Sequence, residues 1–147
     1  MKTNSELLRE IIDTVKPELL KISQEAAGIK LNEKKWSKKE ILGHLIDSAS
    51  NNHQRFVRGA QNLADNFPTY NQNLWVDVNR YNERDWFELI EFFYAYNLFL
   101  SRVIDSLTEN ALNNPCNIGK EEPVTIEFII MDYIRHLKHH IQQILEN

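Results

Sequence analysis

A single cysteine, Cys116, among 147 residues excludes an internal disulfide framework and any CxxC metal or redox motif. Glycine and proline are nearly as scarce, at four each, and fall mostly between long stretches with helical spacing. No apolar run approaches the ~20 residues of a membrane span, because Glu88, Glu91 and Asn97 interrupt the richest one. Positive charge is not in excess: a net charge of −4 and a pI near 5.7 speak against a nucleic-acid binder, whose affinity rests on neutralising phosphates. Alternating strand patterns, internal repeats and low-complexity tracts are also missing. What remains is 42% hydrophobic and 26% charged sequence, ordinary for a globular protein, and long enough to bury a core as one domain over residues 1–147. The opening residues run straight into charged amphipathic sequence without an apolar signal core, so a cytoplasmic location is expected.

Four helix-like stretches follow. In the first, Thr3 and Glu6 have capping-box spacing, and Leu8, Ile11, Val15, Leu19, Ile22 and Ala26 recur as one buried face up to Gly28. Pro17 should kink this helix or delay its start. In the second, Ser37 and Glu40 form a capping box, Trp36 and Ile41 a hydrophobic staple, and Ile41, Leu42, Leu45, Ala49 and Phe56 the buried stripe to about residue 62. A long connection then carries Pro68, Tyr70, Asn71, Asn73 and Trp75, of a length usually found in a lid or a binding loop. The third helix should run from about Glu83 to Leu107, and the fourth from about Thr125 almost to the end, after a turn-rich loop from Asn110 to Pro123. Four long helices without strands predict an all-α four-helix bundle, with the long loop between helices two and three.

Three of the five histidines crowd the last helix in Arg135-His136-Leu137-Lys138-His139-His140. His136 and His140 are four residues apart, which stacks them on one side of a helix where two imidazoles can converge on one divalent ion. At 100° per residue, His140 lies about 60° and His136 about 100° to the same side of the apolar seam, whereas His139 points away from the core. Asp132 precedes His136 by one turn, where a carboxylate can orient that ring. On the second helix His44 stands beside the seam, with Ser48, Asn51 and Arg55 running down the same polar shoulder. His44, His136 and His140 facing one another across a cleft would supply three nitrogens and leave a fourth position open, as in catalytic zinc sites. Spacing alone leaves this a weak signal, because an HxxxH pair without an embedded glutamate is common, and a lone boundary histidine is more often simply hydrogen-bonded.

The stretch Trp36-Ser37-Lys38-Lys39-Glu40-Ile41-Leu42-Gly43-His44-Leu45-Ile46-Asp47-Ser48, followed by Asn52 and Arg55-Phe56, resembles the second-helix motif of the DinB-like superfamily. The His136 to His140 segment, with Gln143 just beyond, is similar to that superfamily's second signature, and the Tyr70–Trp75 and Asn79–Tyr81 regions also fit. The resemblance implies an antiparallel four-helix bundle, often a homodimer, that holds zinc or nickel through His44, His136 and His140. It also implies a bacillithiol- or mycothiol-type chemistry, in which a low-molecular-weight thiol attacks a small electrophilic substrate.

Two other functions stay open beside thiol transfer. A hydrolase would use water on the same metal and needs a general base; Asp47 is in reach of His44 in sequence but projects away from the cleft. A non-catalytic, stress-related metal-binding protein would more naturally have a closed four-ligand site. Arg55 is a candidate carboxylate anchor, and Ser48 and Asn51 candidates for orienting water or substrate. The basic run from Lys34 to Lys39 reads as a solvated helix start, so neither nucleic acid nor membrane is expected as a partner.

Overall fold

The computed structural model describes residues 1–61, 67 and 69–146. Four long helices carry the fold: α1 (Asn4–Leu20), α3 (Lys38–Ala60), α5 (Trp86–Ser106) and α7 (Ile126–Glu146). Short helices α2 (Gln24–Ala27), α4 (Gln72–Asn79) and α6 (Glu109–Leu112) and a 3-10 turn at Tyr81–Glu83 fill the connections. Among the described residues, no helix is long and apolar enough to cross a membrane.

Both predicted capping boxes form. Thr3 and Glu6 close α1, and Ser37 and Glu40 close α3, each pairing a side chain with its partner's backbone N–H. Helix α1 differs from the sequence expectation in three ways. It ends at Leu20, and Gly28 caps the separate helix α2. Pro17 lies inside the last turn of α1. Ile12 rather than Ile11 occupies the core, with Leu8, Val15 and Leu19. On α7 the expected seam of Ile130, Tyr133, Leu137, Ile141 and Ile144 is buried throughout.

The helices form a ring in which α1 packs on α5, α5 on α3, α3 on α7 and α7 on α1. Lys16–Glu91 and Arg9–Asp105 ion pairs set α1 antiparallel to α5. Contacts of His44 with His140 and of Phe56 with Tyr133 set α3 antiparallel to α7. Ser37 hydrogen-bonds Asn82 just before α5, while His53 contacts Tyr96 further along, so α3 and α5 run parallel. Two neighbours that run the same way cannot be joined by a tight turn, which accounts for the long connection after α3. The chain must return along the bundle, and α4 and the 3-10 turn lie on that return path. Pro68 falls outside the described residues.

Two residues of strand on each side, Pro115–Cys116 and Val124–Thr125, pair antiparallel before α7. The sequence predicts no strand here, because a two-residue bridge is too short to leave an alternating pattern.

Candidate metal centre and adjoining cavity

Helix α3 is buried along its first three turns, from Lys39 to Ala49, because it lies between α5, α7 and the return path of the chain. Gly43 makes this possible: a Cβ there would sit 2.1 Å from the ring of Tyr81, so the 3-10 turn closes on bare backbone. The next residue, His44, is 1% exposed. The ring of Trp36 covers it at a centroid distance of 4.8 Å, so the staple residue also walls the site.

Across from His44, α7 presents His136 and His140, both half-buried, with ring centroids 5.0 and 4.8 Å from that of His44. One ring nitrogen from each of the three residues falls within 4.8 Å of the others. The Nε2 atoms of His44 and His136 approach to 3.1 Å. Ligand nitrogens on a tetrahedral ion with bonds of about 2.0–2.1 Å would be about 3.4 Å apart, so small side-chain adjustments would seat a cation.

The electrostatics agree with that geometry. Burial, then the neighbouring rings of His136 and His140, pulls His44 down to about 3. Burial and His140 pull His136 down to about 4, and burial lowers His140 as well. All three rings are therefore neutral near pH 7, the form that donates a lone pair to a metal. The Nδ1 of His140 pairs with Oε1 of Gln143 at 2.8 Å. A carbonyl oxygen can only accept, so Nδ1 carries the proton and the lone pair is left on Nε2. The Nδ1 of His44 is buried and has no hydrogen-bond partner. Three convergent neutral imidazoles suit zinc or nickel and disfavour magnesium or calcium, which take oxygen ligands.

The other candidates divide. His139 is exposed, as its helical angle predicted. Asp132 does not hydrogen-bond His136; its Oδ1 is taken by Arg135 at 2.5 Å, and only its charge acts on the ring. Gln143 fills the orienting role instead, for His140. Asn51 donates to the backbone carbonyl of Asp47 and does not line the cavity beside the histidines. Ser48 and Arg55 do line it, together with Asn52, Tyr70, Asp132 and His136, around about 190 Å³. Asn52 was missed as a lining residue although it lies one turn beyond Ser48, whose carbonyl it bonds at 2.8 Å. A second cavity, of about 470 Å³, borders His140 and Gln143 and includes Trp36, Lys34 and Lys35.

Asp47 is buried on another side of α3. Tyr81 donates its hydroxyl to Oδ1 at 2.6 Å and Asn79 its amide at 2.9 Å, whereas Oδ2 is buried without a partner. Burial outweighs those two donors and raises Asp47 to about 6. The carboxyl faces the return path rather than the histidines, in keeping with its helical angle.

Comparison with known proteins places the chain. The model of the DinB superfamily matches residues 3–144, and the chain belongs to that superfamily. Its structure is similar to that of YfiT from Bacillus subtilis, described as a probable metal-dependent hydrolase with an unusual four-helix bundle topology. That match has a TM-score of 0.79 and 18% identity, over 97% of this chain and 82% of YfiT. The mycothiol-dependent maleylpyruvate isomerase is also similar, with a TM-score of 0.76 and 12% identity over 94% of this chain and 57% of that one. No curated protein sequence gives a significant match.

Proposed function

For this member of the DinB superfamily we propose a metal-dependent thiol S-transferase, with His44, His136 and His140 as ligands of a zinc or nickel ion. The observation that carries it is the convergence of three neutral imidazole nitrogens within 4.8 Å beside a cavity. A divalent cation held by three neutral ligands keeps its full charge and lowers the pKa of a thiol that binds to it. The chain's own contribution is positional. Trp36 excludes water from one side of His44, Gln143 fixes the tautomer of His140, and the cavity by His136 receives the small molecule. In the transfer, the thiol loses its proton to solvent and its sulfur bonds the electrophilic carbon as the leaving group departs with the bonding electrons.

Thiol transfer is preferred to hydrolysis because hydrolysis asks for a general base. The buried carboxyl nearest in sequence, Asp47, is committed to Tyr81 and Asn79, and Asp132 to Arg135. The test is elemental analysis of the purified protein followed by two assays. Metal-loaded protein is given a thiol with chlorodinitrobenzene, and separately ester and amide substrates. About one ion per chain with thiol-dependent chloride release is the expected result. Thiol-independent hydrolysis would replace this reading with a hydrolase, and absence of metal after reconstitution would end both.

A further inference from the structure

Arg55 lines the cavity beside His136 and is half-buried, yet it makes no ion pair or hydrogen bond among the described residues. A guanidinium partly withdrawn from water gains only longer-range attraction from Tyr70, Asp132 and Cys116 here, and a ligand within hydrogen-bond reach would complete it. Its surroundings leave room for one anion. Asp132 lies on the same cavity and attracts Arg55, but that carboxylate is already held by Arg135. Ser48, Tyr70 and Gln72 put hydroxyl and amide groups on the wall for a polar head, and Ile118, Phe128 and Ile129 give it an apolar side for a carbon chain.

The position along the bundle sets a distance. His44 and Arg55 are eleven residues apart on α3, about 16 Å along the axis at 1.5 Å per residue. Both side chains lean toward the N-terminus of α3, but the arginine is the longer and so reaches further back, and His136, which lines the same cavity, reaches toward it from α7. The gap left is about 10 Å.

We propose that this cavity binds a carboxylate of the thiol cosubstrate, held bidentately by Arg55 about 10 Å from the three histidines. A single planar fork matches one carboxylate. A phosphate dianion fits less well, because among the described residues the other charged group on the cavity is the acidic Asp132. The proposal deepens the S-transferase reading and rests on it for the identity of the ligand's other end, but the carboxylate subsite itself needs no metal.

Calorimetric titrations separate the two. Metal-free and zinc-loaded protein would each be titrated with 3-mercaptopropionate, 6-mercaptohexanoate and 8-mercaptooctanoate, and with 6-mercaptohexanol and 8-mercaptooctanol as the uncharged counterparts. On metal-free protein the long acids should bind about tenfold tighter than the alcohols of equal length. That preference should vanish in Arg55→Gln and fall to an intermediate value in Arg55→Lys, which keeps the charge and loses the fork. On zinc-loaded protein the long acids should gain further affinity and 3-mercaptopropionate, too short to span the gap, should not. Equal binding of acids and alcohols by the wild type overturns the proposal, as does an acid preference that survives in Arg55→Gln. A best fit to 3-mercaptopropionate overturns the distance. Failure of the protein to take up zinc would refute the metal reading while leaving the acid-to-alcohol ratio to decide the subsite. Helical circular dichroism and the melting temperature confirm that both variants are folded.

Discussion

His44 and Asp47 stand three residues apart on α3, 1% and 2% exposed, and each keeps one buried atom without a partner. Burial drives both toward their neutral forms, His44 down to about 3 and Asp47 up to about 6. Their neighbours differ. The chain answers Asp47 with donors, Tyr81 and Asn79, brought in by the return path. It answers His44 with two more imidazoles, which compete with it for protons and add lone pairs. Donors gathered around an acceptor complete a fold, whereas imidazole nitrogens gathered on one another present converging lone pairs that a cation can use. The first cluster therefore completes the fold and the second has the chemistry to hold a metal ion, and substitutions in each should have separable effects.

The largest effect is expected at the histidines. His44→Ala or His140→Ala should take the protein from about one zinc or nickel ion per chain to none retained through gel filtration, with helical content unchanged. Elemental analysis beside circular dichroism reads both quantities, and a variant that keeps its ion removes that residue from the ligand set. Next comes Gln143→Leu, which deprives the His140 Nδ1 proton of its acceptor. Orienting partners of this kind typically contribute 10–100-fold in metal affinity, so competition with a chromophoric chelator should show a loss of about that size. An unchanged affinity would mean that the ring is held by packing alone.

Much of this was legible in the sequence, and the exceptions have physical causes. The capping boxes at Thr3 and Ser37 and the seam of α7 depend on residues three or four apart, which a periodicity records directly. The ligand candidates His136 and His140 share one helix, so their convergence was a local matter as well. That His44 would meet them depended on the order in which the helices pack, which no local spacing encodes and which the superfamily resemblance supplied. The partners of Asp47 come from residues 79 and 81, more than thirty positions on, through a parallel pairing of α3 and α5 that periodicity does not report. Asp132 failed as the partner of His136 because Arg135, on the same helix, competes for its carboxylate at shorter reach.

On the structural side the effects should be smaller and fall on stability. Tyr81→Phe removes the hydroxyl that Asp47 accepts at 2.6 Å, in a pocket that Gly43 already shapes to the ring. Leaving a buried acceptor short of one donor costs about 1–3 kcal/mol. Urea unfolding of the metal-free protein should show that loss, with metal stoichiometry unaffected. Loss of metal in Tyr81→Phe would break the separation of the two clusters.

The subtlest prediction concerns pH and isolates Asp47. Its ordinary pKa is 3.8 and its folded value about 6, so the folded state holds the proton more tightly than the unfolded chain. Below about 4 both states are protonated and burial carries no charge penalty. As pH rises from about 4 to 6 the unfolded chain ionises first, and the folded state loses stability; above that window the penalty is complete. Asn cannot ionise, and its carbonyl can still accept from Tyr81. The stability of Asp47→Asn relative to wild type should thus rise through that window and level off beyond it, measured by urea unfolding of both metal-free proteins at matched pH. The histidines titrate in both proteins, so their contribution cancels in the difference. A flat difference would mean that water reaches Oδ2 and screens the charge. A slope of the opposite sign would mean that the bonds from Tyr81 and Asn79 outweigh burial, and that Asp47 is held in the fold as a carboxylate.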